Sequence, residues 1–405
     1  MNIFSYYKKI PLLNKLLVSM LIGVILGIVF KEKILIIKPL GTIFLNILKM
    51  AALPLVIVNL ISGISSLDDP KIFGRVGLKI MIYYFFTTFI AIIIGLISGY
   101  IFKPGIGFTF KEKYETAIQT IPSFGETIVG LLPSNIFEAL TNARFDQIVV
   151  FSAIVGIAIL FLEKDDKKTL TTLFNSLAKL FNKIIAGIML YAPIGICALI
   201  ASTIGTYGSN LLGFIAKYLG ASYSAIILHL LVYLILLMIF AKVNPITFFK
   251  QASVLIITAL GTSSSLACIP VSMSCADELK CSRSISSFTI PLGSQVNKDG
   301  NGMMLAITFL FAAQAINSPL SLGILIKVII ISLILTTGAG GVPGGGIVTI
   351  AIVIDAFNLP LEVVGIVSGI FALIDMGYTM MNCLGDLVGT IIVSRSEDKY
   401  IKQME

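Results

Sequence analysis

Charged residues are scarce in this sequence. Only 12% of the 405 residues are Asp, Glu, Lys or Arg, whereas 57% are hydrophobic, and the mean hydropathy is +1.00. A soluble globule needs a mixed, charged surface, which this composition cannot supply. We therefore predict a polytopic membrane protein. The basic residues that give the net charge of +8 are scattered along the chain, so they do not indicate a nucleic-acid partner.

Cysteine and histidine are also sparse. The five cysteines, at positions 197, 268, 275, 281 and 383, have neither the paired spacing of a zinc site nor that of a disulfide framework, and we interpret them as small apolar residues. The only histidine, His229, lies in an apolar span, where a hydrogen-bonded core histidine is commoner than a proton relay. No histidine lies near the motifs described below, which argues against an intramembrane enzyme built on Ser264 or Lys298.

Long apolar runs make up most of the chain. A membrane-spanning helix needs about 20 predominantly apolar residues. Runs of this kind lie at 16–30, 40–67, 80–102, 148–162, 184–204, 221–241, 303–326 and 361–374. No small-residue cleavage site follows the basic N-terminal lead, so we expect an uncleaved first span. The more polar stretch at 103–147 predicts a long excursion outside the membrane.

Lys and Arg are concentrated in one set of predicted loops. Most of them lie at 1–15, 68–79, 163–183, 242–250, 277–283 and 395–402, whereas none lies at 204–216, 314–322 or 356–361. Positive loops usually remain in the cytoplasm. Both termini are therefore expected to be cytoplasmic, although the basic connector at 31–38 is an exception to the pattern.

A polar motif interrupts one apolar region. Residues 295–303 read Gln-Val-Asn-Lys-Asp-Gly-Asn-Gly-Met between apolar flanks. Unsatisfied backbone groups are costly in hydrocarbon, so this stretch predicts a helix that breaks where protein or water satisfies it. An intramembrane charge costs roughly 2.5–3.5 kcal/mol and usually marks a pathway for ions or substrate. Lys298 and Asp299 indicate such a pathway; a helix end at the water interface is the alternative.

Two breaks rich in glycine and proline occur in the second half of the chain. They lie at Gly261–Pro270 and Gly338–Gly346, and each is followed by a span with a polar motif. Paired interrupted segments indicate a binding site at the middle of the membrane, with half-helix N-termini facing an anion. Ordinary surface turns are the alternative.

The last polar motif has helical spacing. Asp375, Thr379, Asn382 and Asp386 are separated by four, three and four residues, which places them on one stripe of a helix. Carboxylates within a membrane need cations, and Asn and Thr oxygens suit a hard cation or an ammonium group. The stripe therefore indicates a binding site, with a structural polar seam between helices as the alternative.

At these motifs the sequence resembles the dicarboxylate/amino acid:cation symporter family, which includes the glutamate transporters and their archaeal aspartate-transporting relatives. The resemblance covers nearly the whole chain and is strongest in Thr262–Pro270, Asn297–Gly300, Val342–Gly344 and Asp375–Asp386. It implies the all-α glutamate-transporter fold, with eight transmembrane helices, two re-entrant helical hairpins and inverted repeats. It also implies a homotrimer in which a transport domain carries its cargo past a fixed scaffold by an elevator-type motion.

The resemblance also implies a division of the chain. Spans 1 and 2 (1–75) and spans 4 and 5 (104–205) are expected to form the scaffold. Span 3 (76–103) and residues 206–405 are expected to form the transport domain. The segments expected within 206–405 are span 6, hairpin 1 (247–279), span 7 (284–316), hairpin 2 (323–357) and span 8 (361–396).

Residue by residue, the resemblance implies one substrate site and two sodium sites. Asp375 matches the position that holds the amino group, and Asn382 and Ser265 match positions that hold the α-carboxylate. The implied substrate-binding residues are Ser264, Ser265, Asn301, Val342, Gly346, Asp375, Tyr378, Thr379 and Asn382. The implied ligands of the two sodium sites are Gly293, Asn297, Asn382 and Asp386 for the first, and Thr87, Thr88, Asn297, Asp299 and Asp386 for the second.

Three positions near the substrate depart from the family pattern. Tyr378 stands where members that carry acidic amino acids have an arginine, and a phenol offers one weak donor in place of a bidentate charge. Because Asp375 is retained and the arginine is not, we predict a neutral amino acid as substrate. Asn301 replaces a threonine near the substrate side chain, which leaves the identity of the amino acid open. Leu266 replaces a small residue of the serine-rich tip, which narrows that end of the pocket.

Lys298 stands where the family has methionine. Its ammonium could take the place of a sodium ion beside Asp299 or Asp386, which predicts reduced or lost sodium coupling. A lysine could also carry a proton. Two alternatives stay open: Lys298 extends into a wet cavity and the sodium sites work as in relatives, or it pairs with an acidic substrate.

The sequence therefore predicts a symporter of the plasma membrane that carries an amino acid with Na⁺ or H⁺ and needs no other cofactor. The expected partners are the amino acid, the coupling cation, the lipid bilayer and two further copies of the chain. An acidic amino acid or dicarboxylate symporter is the alternative within this class. An anion-conducting channel is the alternative in another class.

Overall fold

The computed structural model describes residues 12–65, 73–108, 110, 129, 132–142, 145–208, 211–338 and 345–401. These residues form helices joined by short connections, and no strand occurs among them. The helices are α1 (Leu12–Phe30), α2 (Lys38–Ser65), α3 (Phe73–Phe102), α4 (Ile136–Thr141), α5 (Phe145–Leu160), α6 (Lys164–Tyr207), α7 (Leu211–Leu236), α8 (Pro245–Thr262), α9 (Ser265–Glu278), α10 (Arg283–Val296), α11 (Asp299–Ala315), α12 (Leu322–Gly338), α13 (Gly345–Ala356) and α14 (Glu362–Ile401). A 3₁₀ helix (Lys31–Ile37) joins α1 to α2, and a π-helical segment (Leu237–Ala241) extends α7.

Several helices are long and apolar enough to cross a membrane. Within the described part of the chain, five helices meet that standard of length and composition: α3, α6, α7 with its extension, α8 and α14. Shorter apolar helices lie at Val150–Leu160, Leu322–Thr337 and Gly345–Ala356. The predicted all-helical membrane architecture is confirmed. The tip expected at Val342–Gly344, the N-terminal lead up to residue 11 and most of the 103–147 excursion lie outside the described residues.

Helices α1, α2 and α6 pack closely through glycines. A Cβ at Gly23 or Gly27 of α1 would lie 2.8 Å from a backbone oxygen of α6. A Cβ at Gly195 of α6 would overlap Phe44 of α2. The same helices share polar contacts, since Ser62 of α2 hydrogen-bonds Asn175 of α6. We call α1, α2, α5 and α6 the first helix group.

Helix α11, in which every residue is buried, packs against α3, α7, α12, α13 and α14. Gly95 of α3 allows close approach, because a Cβ there would lie 2.8 Å from the carbonyl oxygen of Met303. At the other end of α3, the side chain of Gln314 accepts from Gly105 N (3.0 Å) and donates to Gly99 O (3.1 Å). We call α3 and α7–α14 the second helix group.

The two groups meet through apolar residues. Ile200 of α6 lies against Gly369 of α14, and Leu199 of α6 against Gly365. A cavity of about 100 Å³ lies at this boundary. Its lining comes from α1, α6, α7 and α14: Met20, Val24, Ile200, Thr203, Leu211, Leu212, Ile215, Ile366, Ile370 and Leu373.

Two helix breaks place polar groups inside the second helix group. At the first, Ser263 adopts a left-handed conformation (φ 45°) after α8, and the side chain of Ser264 accepts from Ala267 N to cap α9. At the second, Asn297 and Lys298 are non-helical and separate α10 from α11. Hydroxyl side chains suit the first break because they satisfy backbone groups at a helix N-terminus.

Candidate substrate and cation site

Lys298 lies where the two helix breaks meet. Its side chain is 1% exposed. The ammonium donates to Ser265 Oγ (3.1 Å), at the first residue of α9, and to the carbonyl oxygen of Ser294 in α10. It also interacts electrostatically with Asp386 and Asp375 of α14. A buried charge needs both hydrogen bonds and compensating charge, and this position supplies both.

Asp386 and Asn297 form an oxygen-rich pair beside Lys298. Asn297 Nδ2 donates to Asp386 Oδ1 (3.0 Å), while Asn297 Oδ1 is buried without a hydrogen-bond partner among the described residues. Gly293 leaves space here, because a Cβ would lie 2.5 Å from both Asp386 Oδ1 and the Tyr84 hydroxyl. A carbonyl oxygen without a hydrogen-bond partner, next to a carboxylate, provides oxygen ligands that suit a hard cation. Asn297 and Asp386 of the first implied sodium site therefore offer oxygens that suit a cation.

Asn382 connects α14 to the start of α11. Its Oδ1 accepts from Gly300 N (2.8 Å), and its Nδ2 lies 3.4 Å from Asn301 Oδ1. Gly300 is needed for this approach, since a Cβ there would overlap the backbone of Tyr378. The side-chain oxygen of Asn382 is thus engaged within the protein, and its amide group reaches Asn301.

The carboxylate of Asp299 is enclosed by donors. Thr88 Oγ1 (2.5 Å) and Thr87 Oγ1 (3.4 Å) lie at Oδ1, while Tyr233 OH (2.5 Å) and His229 Nε2 (2.9 Å) lie at Oδ2. Asp299 and His229 are both fully buried. A cation at this carboxylate would displace hydrogen-bond donors from it. The second implied sodium site, as it is arranged here, does not fit a cation.

Asp375 of the stripe and its neighbour Tyr378 have different surroundings on α14. Asp375 is half-buried and lies one helical turn before Thr379. The hydroxyl of Tyr378 is fully buried and lies beside Ser222 of α7. The Tyr378 hydroxyl is therefore directed towards α7, whereas Asp375 interacts with Lys298.

The remaining predicted substrate residues fall into three situations. Ser265 contacts Lys298, and Ser264 caps α9 immediately before it. Gly346 lies at the start of α13, where a Cβ would be 2.9 Å from Met304 Cε. Val342 lies outside the described residues.

Two residues of α7 at the site are not among the ligands that the sequence predicts. His229 is expected to be a hydrogen-bonded core histidine, and its Nε2 does hydrogen-bond Asp299. Tyr233 has no predicted role. The sequence feature that could have identified them is their spacing of four residues in an otherwise apolar helix, which places both on one face of α7.

The site as a whole contains more negative than positive groups. The Lys298 ammonium interacts electrostatically with the carboxylates of Asp375 and Asp386, and Asp386 also interacts with Asp299. Carboxylates buried in a membrane need to be neutralised by cations or donors. Asp299 has its donors, so Asp375 and Asp386 are the carboxylates left for a bound cation or a ligand's ammonium group.

Known proteins match this sequence along almost its entire length. The family model described as "Sodium:dicarboxylate symporter family" matches residues 12–396. A "Proton/sodium-glutamate symport protein" of Geobacillus stearothermophilus is 30% identical over 97% of this chain and 96% of its own length. A "C4-dicarboxylate transport protein" of Bacillus subtilis (strain 168) is 31% identical over 95% of this chain and 93% of its own length. A "Proton/glutamate-aspartate symporter" of Escherichia coli (strain K12) is 28% identical over 97% and 94%, respectively.

Proposed function

The chain belongs to the sodium:dicarboxylate symporter family, and on that premise we propose that it carries a neutral amino acid together with a cation across the plasma membrane. A secondary active symporter, rather than an enzyme, is what the family and the named relatives support. The class of substrate, the coupling to a cation and the transport motion go beyond this and are our proposal.

The observation that carries the proposal is the arrangement around Lys298. Ser265, the N-terminus of α9 and the Lys298 ammonium form an electropositive end. Asp375 forms an electronegative end, and its carboxylate interacts electrostatically with the same ammonium. An α-amino acid carries a carboxylate and an ammonium on adjacent atoms, so it suits a site with two such ends close together.

Tyr378 supports a neutral side chain on the substrate. An acidic side chain would need a second cationic partner, because an unpaired buried carboxylate is costly. The Tyr378 hydroxyl lies beside Ser222 of α7 and offers no charge. Among the described groups around the stripe, Lys298 is the cation, and its ammonium is already engaged by Ser265 and Ser294.

We propose that coupling uses the cation site at Asn297 and Asp386, with Lys298 replacing a second cation. Asp299 accepts from Thr88 and Tyr233 and lies 2.9 Å from His229 Nε2, which argues against a cation there. The Lys298 ammonium interacts electrostatically with Asp386. It would lower the number of cations that the carboxylates of the site need for neutrality.

An elevator-type motion is the proposed mode of transport. The first helix group would be the scaffold and the second helix group, which contains the site, the moving part. The apolar contacts between α6 and α14 support this division, because apolar surfaces can slide without breaking hydrogen bonds. Assembly as a homotrimer and cytoplasmic termini are proposed from the family resemblance and the distribution of positive loops.

The first test is uptake by purified protein in liposomes. We expect accumulation of labelled neutral amino acids, driven by a cation gradient, and little uptake of glutamate, aspartate or succinate. Counterflow should occur, because a carrier exchanges substrate and a channel does not. Asp375→Asn should reduce neutral amino acid uptake to background, since an amide cannot neutralise the substrate ammonium.

A matched substitution tests the role of Tyr378. Tyr378→Arg should add uptake of an acidic amino acid, whereas Tyr378→Phe should not. Uptake of glutamate or succinate by the unaltered protein, with none of neutral amino acids, would overturn the neutral-substrate proposal. That outcome would favour the second candidate, an acidic amino acid or dicarboxylate carrier, which the names of the relatives support.

Lys298→Met tests the coupling proposal. Removing the ammonium leaves Asp386 without its nearby cation, so sodium should stabilise the variant against heat much more than choline does, and more than it stabilises the unaltered protein. Lys217→Met is the control, because Lys217 is exposed on α7. An equal response to sodium in Lys298→Met and the unaltered protein would contradict a coupling role for this lysine.

A further inference from the structure

Tyr233 of α7 is fully buried, and its hydroxyl faces two oxygen atoms of other helices. The hydroxyl donates to Asp299 Oδ2 (2.5 Å) and lies 3.2 Å from the carbonyl oxygen of Met381 in α14. A phenol carries a single proton, so these two acceptors share one donor. The hydroxyl therefore joins α7, the start of α11 and α14 at one point.

A glycine makes room for this hydroxyl. A Cβ at Gly385 of α14 would lie 2.4 Å from the Tyr233 hydroxyl and 2.6 Å from Asn297 Nδ2. The ring of Tyr233 meets that of His229 edge-on, with the two centroids 4.6 Å apart. The phenol is thus held at the Asp299 carboxylate and is close to both implied sodium sites.

The two acceptors of this hydroxyl are also suitable ligands for a cation. Hard cations prefer carboxylate and carbonyl oxygens. Asp299 Oδ2 and the Met381 carbonyl oxygen face the same point, and the phenol proton fills it. A cation that bridged the two oxygens would need this point for itself.

We propose that Tyr233 determines how many sodium ions couple to transport: its hydroxyl takes the position at which sodium would bridge Asp299 and the Met381 carbonyl, and so excludes sodium from the second implied site. This role rests on the proposed function and deepens it. Lys298 acts at Asp386, whereas Tyr233 acts at Asp299, so the two side chains replace cations at different carboxylates.

A purely structural tyrosine would behave differently. Loss of its hydroxyl would change the unfolding midpoint but not the number of sodium ions bound. Removing the Tyr233 hydroxyl leaves Asp299 Oδ2 and the Met381 carbonyl oxygen facing the space of one oxygen atom, with the ring still in place. His229 Nε2, 2.9 Å from Oδ2, can stay there, because a carboxylate oxygen has a further lone pair for a cation.

The test counts sodium ions bound to the purified full-length protein in the absence of any amino acid. Equilibrium binding of radioactive sodium and the unfolding midpoint are measured over a series of sodium concentrations, with choline keeping the ionic strength constant. Tyr233→Phe is compared with Tyr223→Phe, a matched control on α7 whose hydroxyl donates to the Leu373 carbonyl oxygen. Two further variants carry Asp299→Asn, alone and together with Tyr233→Phe.

We expect Tyr233→Phe to bind an additional sodium ion per chain, and Tyr223→Phe to bind the same number as the unaltered protein. The unfolding midpoint of Tyr233→Phe should rise more steeply with sodium than that of the unaltered protein, because a ligand that binds only the folded state stabilises it. The additional ion should be lost again when Tyr233→Phe is combined with Asp299→Asn.

Two outcomes would overturn the proposal. One is a folded Tyr233→Phe protein that binds no more sodium than Tyr223→Phe does. The other is the loss of a sodium ion on Asp299→Asn alone, since sodium would then already share this carboxylate with the tyrosine. This second measurement decides the role of Tyr233 even if Tyr233→Phe fails to fold. If the unaltered protein shows no uptake of any substrate, the transport proposal fails, while the sodium counts still decide whether Tyr233 excludes a cation.

Discussion

Lys298 and Asp299 are adjacent in sequence but have opposite surroundings. The Lys298 ammonium has two neutral acceptors and lies near two carboxylates. The Asp299 carboxylate has donors from α3 and α7 at both oxygens. A buried charge is tolerated when donors or opposite charges satisfy it. The break between α10 and α11 allows the two side chains to reach separate partners.

The contribution of the hydrogen bonds at Asp299 to the stability of the protein can be measured with a matched pair of tyrosines. Tyr233 donates to the fully buried Asp299 carboxylate (2.5 Å), whereas Tyr223 donates to the carbonyl oxygen of Leu373 (2.6 Å) from an exposed position. A hydrogen bond to a charged group contributes about 1.5–3 kcal/mol, and one between neutral groups about 0.5–1.5 kcal/mol. Tyr233→Phe should therefore lower the thermal unfolding midpoint more than Tyr223→Phe does.

Unfolding of the two variants is followed in the same detergent and salt. Both substitutions remove one hydroxyl from α7, so the loss of a phenol oxygen is common to them. Equal midpoints for Tyr233→Phe and Tyr223→Phe would mean that Asp299 does not depend on Tyr233, and that the enclosure is weaker than its geometry suggests.

At the scale of the helices, local sequence predicts where a helix breaks better than it predicts which helices pack together. The break after Thr262 can be predicted, because a serine-rich run before Pro270 offers both a left-handed cap residue and an N-cap. The spacing from Asp375 to Asp386 places four polar groups on one stripe of α14. These features depend on residues within a few turns of one another.

Contacts between distant helices cannot be predicted in the same way. His229 and Asp299 are 70 residues apart, and nothing in their local patterns shows that α7 packs beside the start of α11. The direction of the Tyr378 hydroxyl towards α7 also depends on packing rather than on its place near the stripe.

The glycines show why close helix packing is hard to predict from sequence. Gly95 allows α3 to approach the backbone of α11, and Gly23 allows α1 to approach that of α6. At Gly187 and Gly213, by contrast, a Cβ would meet nothing within 4 Å. All four lie in apolar helices, and only the fold distinguishes a required glycine from a replaceable one.

At the scale of the whole molecule, the proposed elevator motion depends on the boundary between the two helix groups. It is apolar, and it contains a cavity of about 100 Å³ to which both groups contribute. Protein interiors are normally close-packed, so a void at a boundary leaves contacts unmade. In the proposed elevator motion, a void of this kind would lower the cost of moving one group past the other, because fewer interlocking side chains would have to separate.

Filling the cavity should slow transport without weakening substrate binding. Val24 of α1 lines the cavity, so Val24→Phe should add contacts between the groups and stabilise the arrangement described here by about 0.5–2 kcal/mol. Val18→Phe is the control, because Val18 lies on the same helix with 55% of its surface exposed. In liposomes, Val24→Phe should reduce the initial uptake rate, while the amino acid affinity measured by calorimetry stays unchanged. Uptake by Val24→Phe at the rate of Val18→Phe, despite a higher unfolding midpoint, would mean that the groups do not move past each other at this boundary. The elevator proposal would then need a different sliding surface.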